Sequence, residues 1–304
     1  MIDRLISAIE EKENPSVVGL DPTLEMMPSF LKEDMFNKFG KTPKAVANMF
    51  FEFNKAIIDE VADIVPAVKP QIAMYEKYGL EGLDCYLKTV DYAKKKGLVI
   101  IGDIKRGDIS STAAAYAGHI EGCDIEGAHF DLWQEDFVTV NPYLGTDGIT
   151  PFVKACEKEK RGIFVLLKTS NKSSSEIQDR EVSGRPLYTH VAELINTWGN
   201  DVIGSYGFSS VGAVVGATHP REGIELRKLC PHVFFLVPGY GAQGGKAEDL
   251  KGFFDKNKRG AIVNSSRGII ASYKKIEGAK EEDFAKYSRN AALLMRDDLM
   301  KAFK

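Results

Sequence analysis

A chain of 304 residues, 44% hydrophobic and 27% charged, has a globular composition, which excludes a disordered or collagen-like chain and permits a sizeable core. Its net charge of -3, with Lys and Arg scattered along the chain, leaves no electrostatic footprint for nucleic acid or an anionic membrane. No run approaches the ~18 apolar residues of a membrane span, and the amphipathic stretch after Met1 is unlike a secretory signal, so a cytoplasmic protein is expected.

In chain order, short runs rich in Val, Ile and Phe predict strands at Ser16–Asp21, Ala67–Met74, Leu98–Lys105, Phe137–Asn141, Gly162–Thr169, Gly212–Ala217, Val233–Val237 and Ala261–Ser265. Helical periodicity separates most of them: Pro43–Asp63, Leu80–Lys96, Ser110–Ile120, Gly148–Lys158, Pro186–Trp198, Pro220–Leu229 and a last helix within the final thirty residues. Several of these begin with Ser, Thr or Pro, the residues suited to helix starts. Near-continuous apolar strands alternating with helices imply a parallel sheet covered by helices. Eight repeats favour closure into a single-domain (β/α)8 TIM barrel over residues 1–304. A doubly wound open sheet is the alternative, but no G-x-G-x-x-G follows the first strand to bind a dinucleotide. The polar segment Ser170–Gly184 is long for a loop and reads either as a lid or binding loop or as a tolerated insertion.

Cys85, Cys123, Cys156 and Cys230 lie far apart, without a C-x-x-C pair. Reduced, mostly buried thiols are expected rather than disulfides or a zinc site. His119, His129, His190, His219 and His232 likewise form no H-E-x-x-H pattern and are read as structural or surface residues. No metal ligands are assigned.

In a barrel, chemistry gathers where the strands end at their C-terminal side. The polar residues there are Asp21, Lys69, the run Asp103 to Asp108, Lys168-Thr169-Ser170, the run Pro238 to Gly245, and Asn264 to Arg267. The two-residue side-chain period of a strand puts Asp103 and Lys105 on one face, with Asp108 just beyond. Lys69 would extend these into an alternating array of acids and ammonium groups. Opposite charges about 4 Å apart attract by roughly 4 kcal/mol at an effective dielectric near 20, enough to hold geometry. A D-x-K-x-x-D pattern alone is short and built of common residues, and more often than not marks a surface salt-bridge cluster on a strand-helix turn. The four glycines around Gln243, including Gly244, offer an unhindered backbone that can turn N–H groups toward an anion, with Arg267 on the next strand to complete a phosphate site. A glycine-rich turn beside a solvent-facing arginine would explain each feature singly, but not their adjacency.

Six blocks together resemble the orotidine 5'-phosphate decarboxylase family, in its longer-chain subgroup: G-L-D-P from Gly19, V-K-P-Q from Val68, D-I-K-R-G-D-I-S-S-T from Asp103, K-T-S-N from Lys168, V-P-G-Y-G-A-Q-G-G from Val237 and N-S-S-R-G from Asn264. The resemblance implies cofactor-independent decarboxylation of orotidine 5'-phosphate to uridine 5'-phosphate, the final step of pyrimidine nucleotide synthesis. Lys105 would protonate C6 of the pyrimidine, flanked by Asp103 and Asp108, with Lys69 completing the array. Asp21 and Thr112 would bind ribose hydroxyls, and Ser170 the pyrimidine amide edge. Gln243 and Arg267 would hold the phosphate beside the backbone of the loop bearing Pro238 and Gly244. The resemblance further implies a homodimer in which Asp108 and Thr112 reach the neighbouring subunit's site. Two other readings are a magnesium-dependent phosphosugar lyase or decarboxylase on the same barrel, and a non-catalytic nucleotide-binding protein.

Overall fold

A computed structural model describes residues 1–241 and 244–303. Eight parallel strands close into a barrel in sequential order: β1 (Ser16–Leu20), β2 (Ala67–Pro70), β3 (Val99–Arg106), β4 (Phe137–Val140), β5 (Gly162–Lys168), β6 (Ser209–Val215), β7 (Val233–Val237) and β8 (Ala261–Ser265). β8 pairs back onto β1, with Ser16 opposite Val263. The expected (β/α)8 barrel is therefore the fold, and the open-sheet alternative is excluded.

Strands buried on both faces need apolar residues at every position, which is why period-two alternation is absent from the sequence. One face fills the barrel with Val17, Ala67, Val99, Ile101, Phe137, Phe164, Val214, Phe234, Leu236 and Ile262. The other packs beneath the surrounding helices. These helices are α2 (Ser29–Phe39), α3 (Pro43–Val61), α4 (Gly79–Lys95), α5 (Ser110–Glu121), α6 (Thr146–Glu159), α7 (Leu187–Gly199), α8 (Pro220–Leu229) and α9 (Phe284–Ala302). α3 starts where the Thr42 hydroxyl accepts from Ala45 N at 3.2 Å, with Pro43 as its first residue, a position where the missing N–H costs nothing.

An unassigned helix precedes them. α1 (Ile2–Glu11) joins Ile2, Leu5 and Ile6 to the barrel's interior cluster, so its apolar stripe plugs the end of the barrel opposite the strand C-termini. Its polar side ties it down: the Asp3 carboxylate accepts from the backbone N–H of Ser205 at 2.9 Å, and Arg4 pairs with buried Asp136 at 3.1 Å.

Three further differences from the sequence expectation have local causes. β2 stops at Pro70 rather than Met74, because the same apolar run continues into a helical turn, Ala73–Glu76, that buries Tyr75. β6 starts at Ser209 instead of Gly212 and ends at Val215 instead of Ala217; the hydroxyl of buried Ser209 donates to Gly199 O at 2.7 Å, which makes a polar strand residue tolerable. Two small hairpins, Cys123–Ile125 with Ala128–Phe130 and Glu181–Val182 with Arg185–Pro186, lie outside the barrel.

Candidate active site

The strands deliver their polar ends to one cavity of about 1080 Å³ at the barrel's C-terminal mouth. Asp21, Lys69, Asp103, Lys105, Ser170, Pro238 and Arg267 all line it. Backbone proximity between β1 and β8 is a condition of this arrangement: a Cβ on Gly19 would overlap the Ser266 side chain, so only glycine lets the strand before Asp21 lie this close to the Asn264–Arg267 segment.

Lys69 and Asp103 are buried. The Lys69 ammonium donates to Asp103 Oδ2 at 2.6 Å and lies 4.0 Å from Asp21 Oδ1. Burial disfavours its charge, yet Asp103 and Asp21 outweigh that cost and hold its pKa above the ordinary lysine value. The other Asp103 oxygen, Oδ1, accepts from Lys105 Nζ and, at 3.0 Å, from the Thr139 hydroxyl. Burial alone would raise the Asp103 pKa, but Lys69 and Lys105 drive it well below the usual carboxylate range. A chain of alternating charge, Asp21, Lys69, Asp103 and Lys105, thus runs across three adjacent strands. The Lys105 side chain remains 45% exposed, so its ammonium is presented to the cavity rather than enclosed by its partners.

Two buried acceptors in this wall, Asp21 Oδ1 and Asn264 Oδ1, have no hydrogen-bond partner among the described residues. A buried oxygen left this way costs free energy until a donor arrives, so both mark positions for a hydroxyl or amide of a bound molecule.

Asp108 and Thr112 behave differently. Both stand at the start of α5, where Asp108 accepts from Ile109 N at 2.8 Å, and neither lines the cavity of its own chain. Thr112 is exposed, together with Ile109 and Tyr116 on the same helical segment.

Gly239, Gly241 and Gly244 take left-handed φ values of 99°, 69° and 97°, so the loop after β7 needs its glycines. Three of its amides are occupied within it: Gly241 N donates to Gly245 O, Gly244 N to Gly241 O, and Gly245 N to Gly239 O. Gly244 does not line the cavity, and Gln243 lies outside the described residues. Beside this loop, just beyond the adjacent strand β8, Arg267 is exposed, with its side chain lining the opening.

The long segment after β5 forms one wall of the cavity. Lys168, fully buried at the end of β5, donates to Asp179 Oδ1 at 2.5 Å and lies 5.5 Å from the Tyr188 ring centroid. Gln178 binds Thr169 twice, accepting from its N–H at 2.9 Å and donating to its hydroxyl at 2.7 Å. These contacts fix the chain on both sides of Ser170. Within this segment Ser170, Asn171, Ser173, Ser174, Ile177 and Gln178 line the pocket.

Thr139, Asn141, Asn264 and Tyr188 also line the cavity without having been singled out as site residues. The polar positions interrupting V-T-V-N at the end of β4 were a legible signal for Thr139 and Asn141 under the strand-end rule; Tyr188, from α7, had none.

The family model described as "Orotidine 5'-phosphate decarboxylase / HUMPS family" matches residues 17–281. The orotidine 5'-phosphate decarboxylase of Clostridium tetani is 44% identical over 304 residues, covering 99% of this chain and 98% of that one. That of Petrotoga mobilis is 45% identical over 302 residues, covering 98% of each. The solved structure of Leishmania donovani OMP decarboxylase superposes with a TM-score of 0.70 at 28% identity, covering 97% of this chain and 98% of that one. With its barrel, its strand-end charge array and relatives of this similarity along nearly its whole length, the chain belongs to the orotidine 5'-phosphate decarboxylase / HUMPS family.

Proposed function

We propose that the protein decarboxylates orotidine 5'-phosphate to uridine 5'-phosphate, with Lys105 as the proton donor. The observation that carries this reading is the Asp21–Lys69–Asp103–Lys105 array, in which one ammonium is buried and neutralised while the next stays open to the cavity.

The reaction needs what such an array supplies. Cleavage of the bond between C6 and the carboxylate leaves an electron pair in an in-plane sp² orbital that the ring cannot delocalise, so stabilisation must come from outside the substrate. The Lys105 ammonium stabilises that pair as it develops and then transfers a proton to C6 as carbon dioxide departs; solvent returns a proton to Nζ. Asp103 keeps Lys105 charged and aimed, and Lys69 keeps Asp103 ionised. Asp21, with an unpartnered oxygen, suits a ribose hydroxyl. Ser170 faces the pyrimidine, while Arg267, Gln243 and the loop bearing Pro238 and Gly244 hold the phosphate. Binding energy gathered at phosphate and ribose, far from C6, offsets the cost of ordering the site.

The functional unit in this reading is a cytoplasmic homodimer. Asp108 and Thr112 do not line their own chain's cavity and share a segment with exposed Ile109 and Tyr116, which supports their service to a second subunit's site.

Purified protein mixed with orotidine 5'-phosphate should deplete the substrate's pyrimidine absorbance and yield stoichiometric uridine 5'-phosphate, and it should do so after exhaustive chelation. Turnover that chelation abolishes and Mg²⁺ alone restores would overturn the reading in favour of a metal-dependent lyase; binding without turnover would favour a nucleotide-binding protein.

A further inference from the structure

The ladder between β3 and β4 breaks where the charge array begins. Ile101 pairs with Phe137 and Gly102 with Val138, but the next pair joins Arg106 to Val140. Three residues of β3, Asp103, Ile104 and Lys105, therefore stand opposite a single residue of β4, Thr139. Such a bulge withdraws ladder partners from the wider strand and re-aims its side chains. It is accompanied here by an uncommon backbone conformation, since Lys105 has φ 46°, a left-handed value that a side chain with a Cβ rarely adopts.

Thr139 fills the gap with its side chain. Its hydroxyl oxygen accepts from the Lys105 backbone N–H at 2.9 Å and donates to Asp103 Oδ1 at 3.0 Å. The residue is buried, with only 1% of its surface exposed, so water does not readily substitute for either bond. One hydroxyl thus joins the backbone of the proton donor to the carboxylate that aims its ammonium. Asp103 is then held at both oxygens, Oδ2 by Lys69 and Oδ1 by Lys105 and Thr139.

We propose that Thr139 is a positioning residue for decarboxylation, its hydroxyl fixing the strained Lys105 backbone and the Asp103 carboxylate in one geometry. The proposal rests on Lys105 being the proton donor. Valine in place of Thr139 keeps the branched shape suited to a strand but removes the hydroxyl, leaving the Lys105 N–H unpaired and Asp103 Oδ1 tied to the mobile end of Lys105 alone. Substrate binding through phosphate and ribose engages other strands, so the loss falls on the chemical step.

The test is steady-state kinetics with orotidine 5'-phosphate on wild type, Thr139→Val, Thr139→Ala and Thr139→Ser, each checked for cooperative thermal unfolding. Thr139→Val should lower kcat about 30-fold, equivalent to about 2 kcal/mol, with KM within about threefold of wild type, while Thr139→Ser should regain kcat to within about threefold. Thr139→Ala provides the same reading if the valine variant does not fold. Wild-type kcat in either folded hydroxyl-free variant would overturn the proposal. So would a loss confined to KM, a serine variant no better than valine, or failure of both hydroxyl-free variants to fold, which would make the hydroxyl a requirement of the barrel. Absence of wild-type turnover would instead defeat the proposed function.

Discussion

Lys105 combines two properties seldom found together: a strained backbone held by a neighbouring strand, and an ammonium that one carboxylate anchors while the cavity stays open to it. Lys105→Ala removes a group acting mainly in the transition state. It should lower kcat by several orders of magnitude while uridine 5'-phosphate binding, measured by calorimetry, changes little. Near-normal kcat would place the proton donor elsewhere. Arg267 is the opposite case, an exposed charge at the rim. Arg267→Ala should raise KM for orotidine 5'-phosphate by at least about tenfold, as expected for loss of a charge-assisted contact, and should hardly affect turnover of orotidine, which lacks the phosphate. Equal penalties on both substrates would exclude Arg267 from the phosphate site. Much of this site was legible in the sequence because its residue types are chemically conspicuous: Asp103, Lys105 and Lys69 advertise an array wherever strand ends converge. Thr139 is marked in the sequence only as a polar residue at a strand end, and its role is not legible there, since it depends on a register break that neither strand's sequence announces.

At the scale of elements, the eight apolar strands were readable because each is buried on both faces and carries no polar alternation. α1 escaped assignment because its meaning lies in what it covers: an amphipathic decapeptide becomes a barrel plug only once the barrel end exists. The helices also carry electrostatic ties of their own. Asp59 on α3 meets Lys55 at 3.0 Å, Tyr92 OH of α4 at 2.6 Å and Lys96 Nζ at 2.6 Å. Partial burial opposes its ionisation, but the hydrogen bonds from Lys96, Tyr92 and Lys55 prevail and bring its pKa down to about 2. An acid whose pKa is depressed on folding contributes stability that is present above its unfolded value near 4 and disappears as pH falls through the folded value. Because solvent reaches this carboxylate, Asp59→Asn should cost less than about 1 kcal/mol at neutral pH. The difference from wild type should shrink between about pH 4 and pH 2 in urea titrations. A pH-independent difference would assign the loss to packing rather than charge.

At the scale of the whole molecule, the sequence resemblance implies a site completed by two chains, and in a single chain neither Asp108 nor Thr112 lines the cavity. Lys105→Ala and Asp108→Asn, each expected to be nearly inactive alone, separate the two possibilities when mixed. If each site draws Lys105 from one chain and Asp108 from the other, a mixed dimer contains one site with both substitutions and one with neither, as two-fold symmetry requires. Random re-association of equal amounts gives about half mixed dimers, each with one intact site of two, so the mixture should recover roughly a quarter of wild-type activity. Subunit exchange is verified independently by mass-tagged chains. Where exchange is complete and activity nonetheless stays at the level of the separate variants, Asp108 serves its own chain, and its position before α5 has to be explained by the hydrogen bond it accepts from the Ile109 N–H.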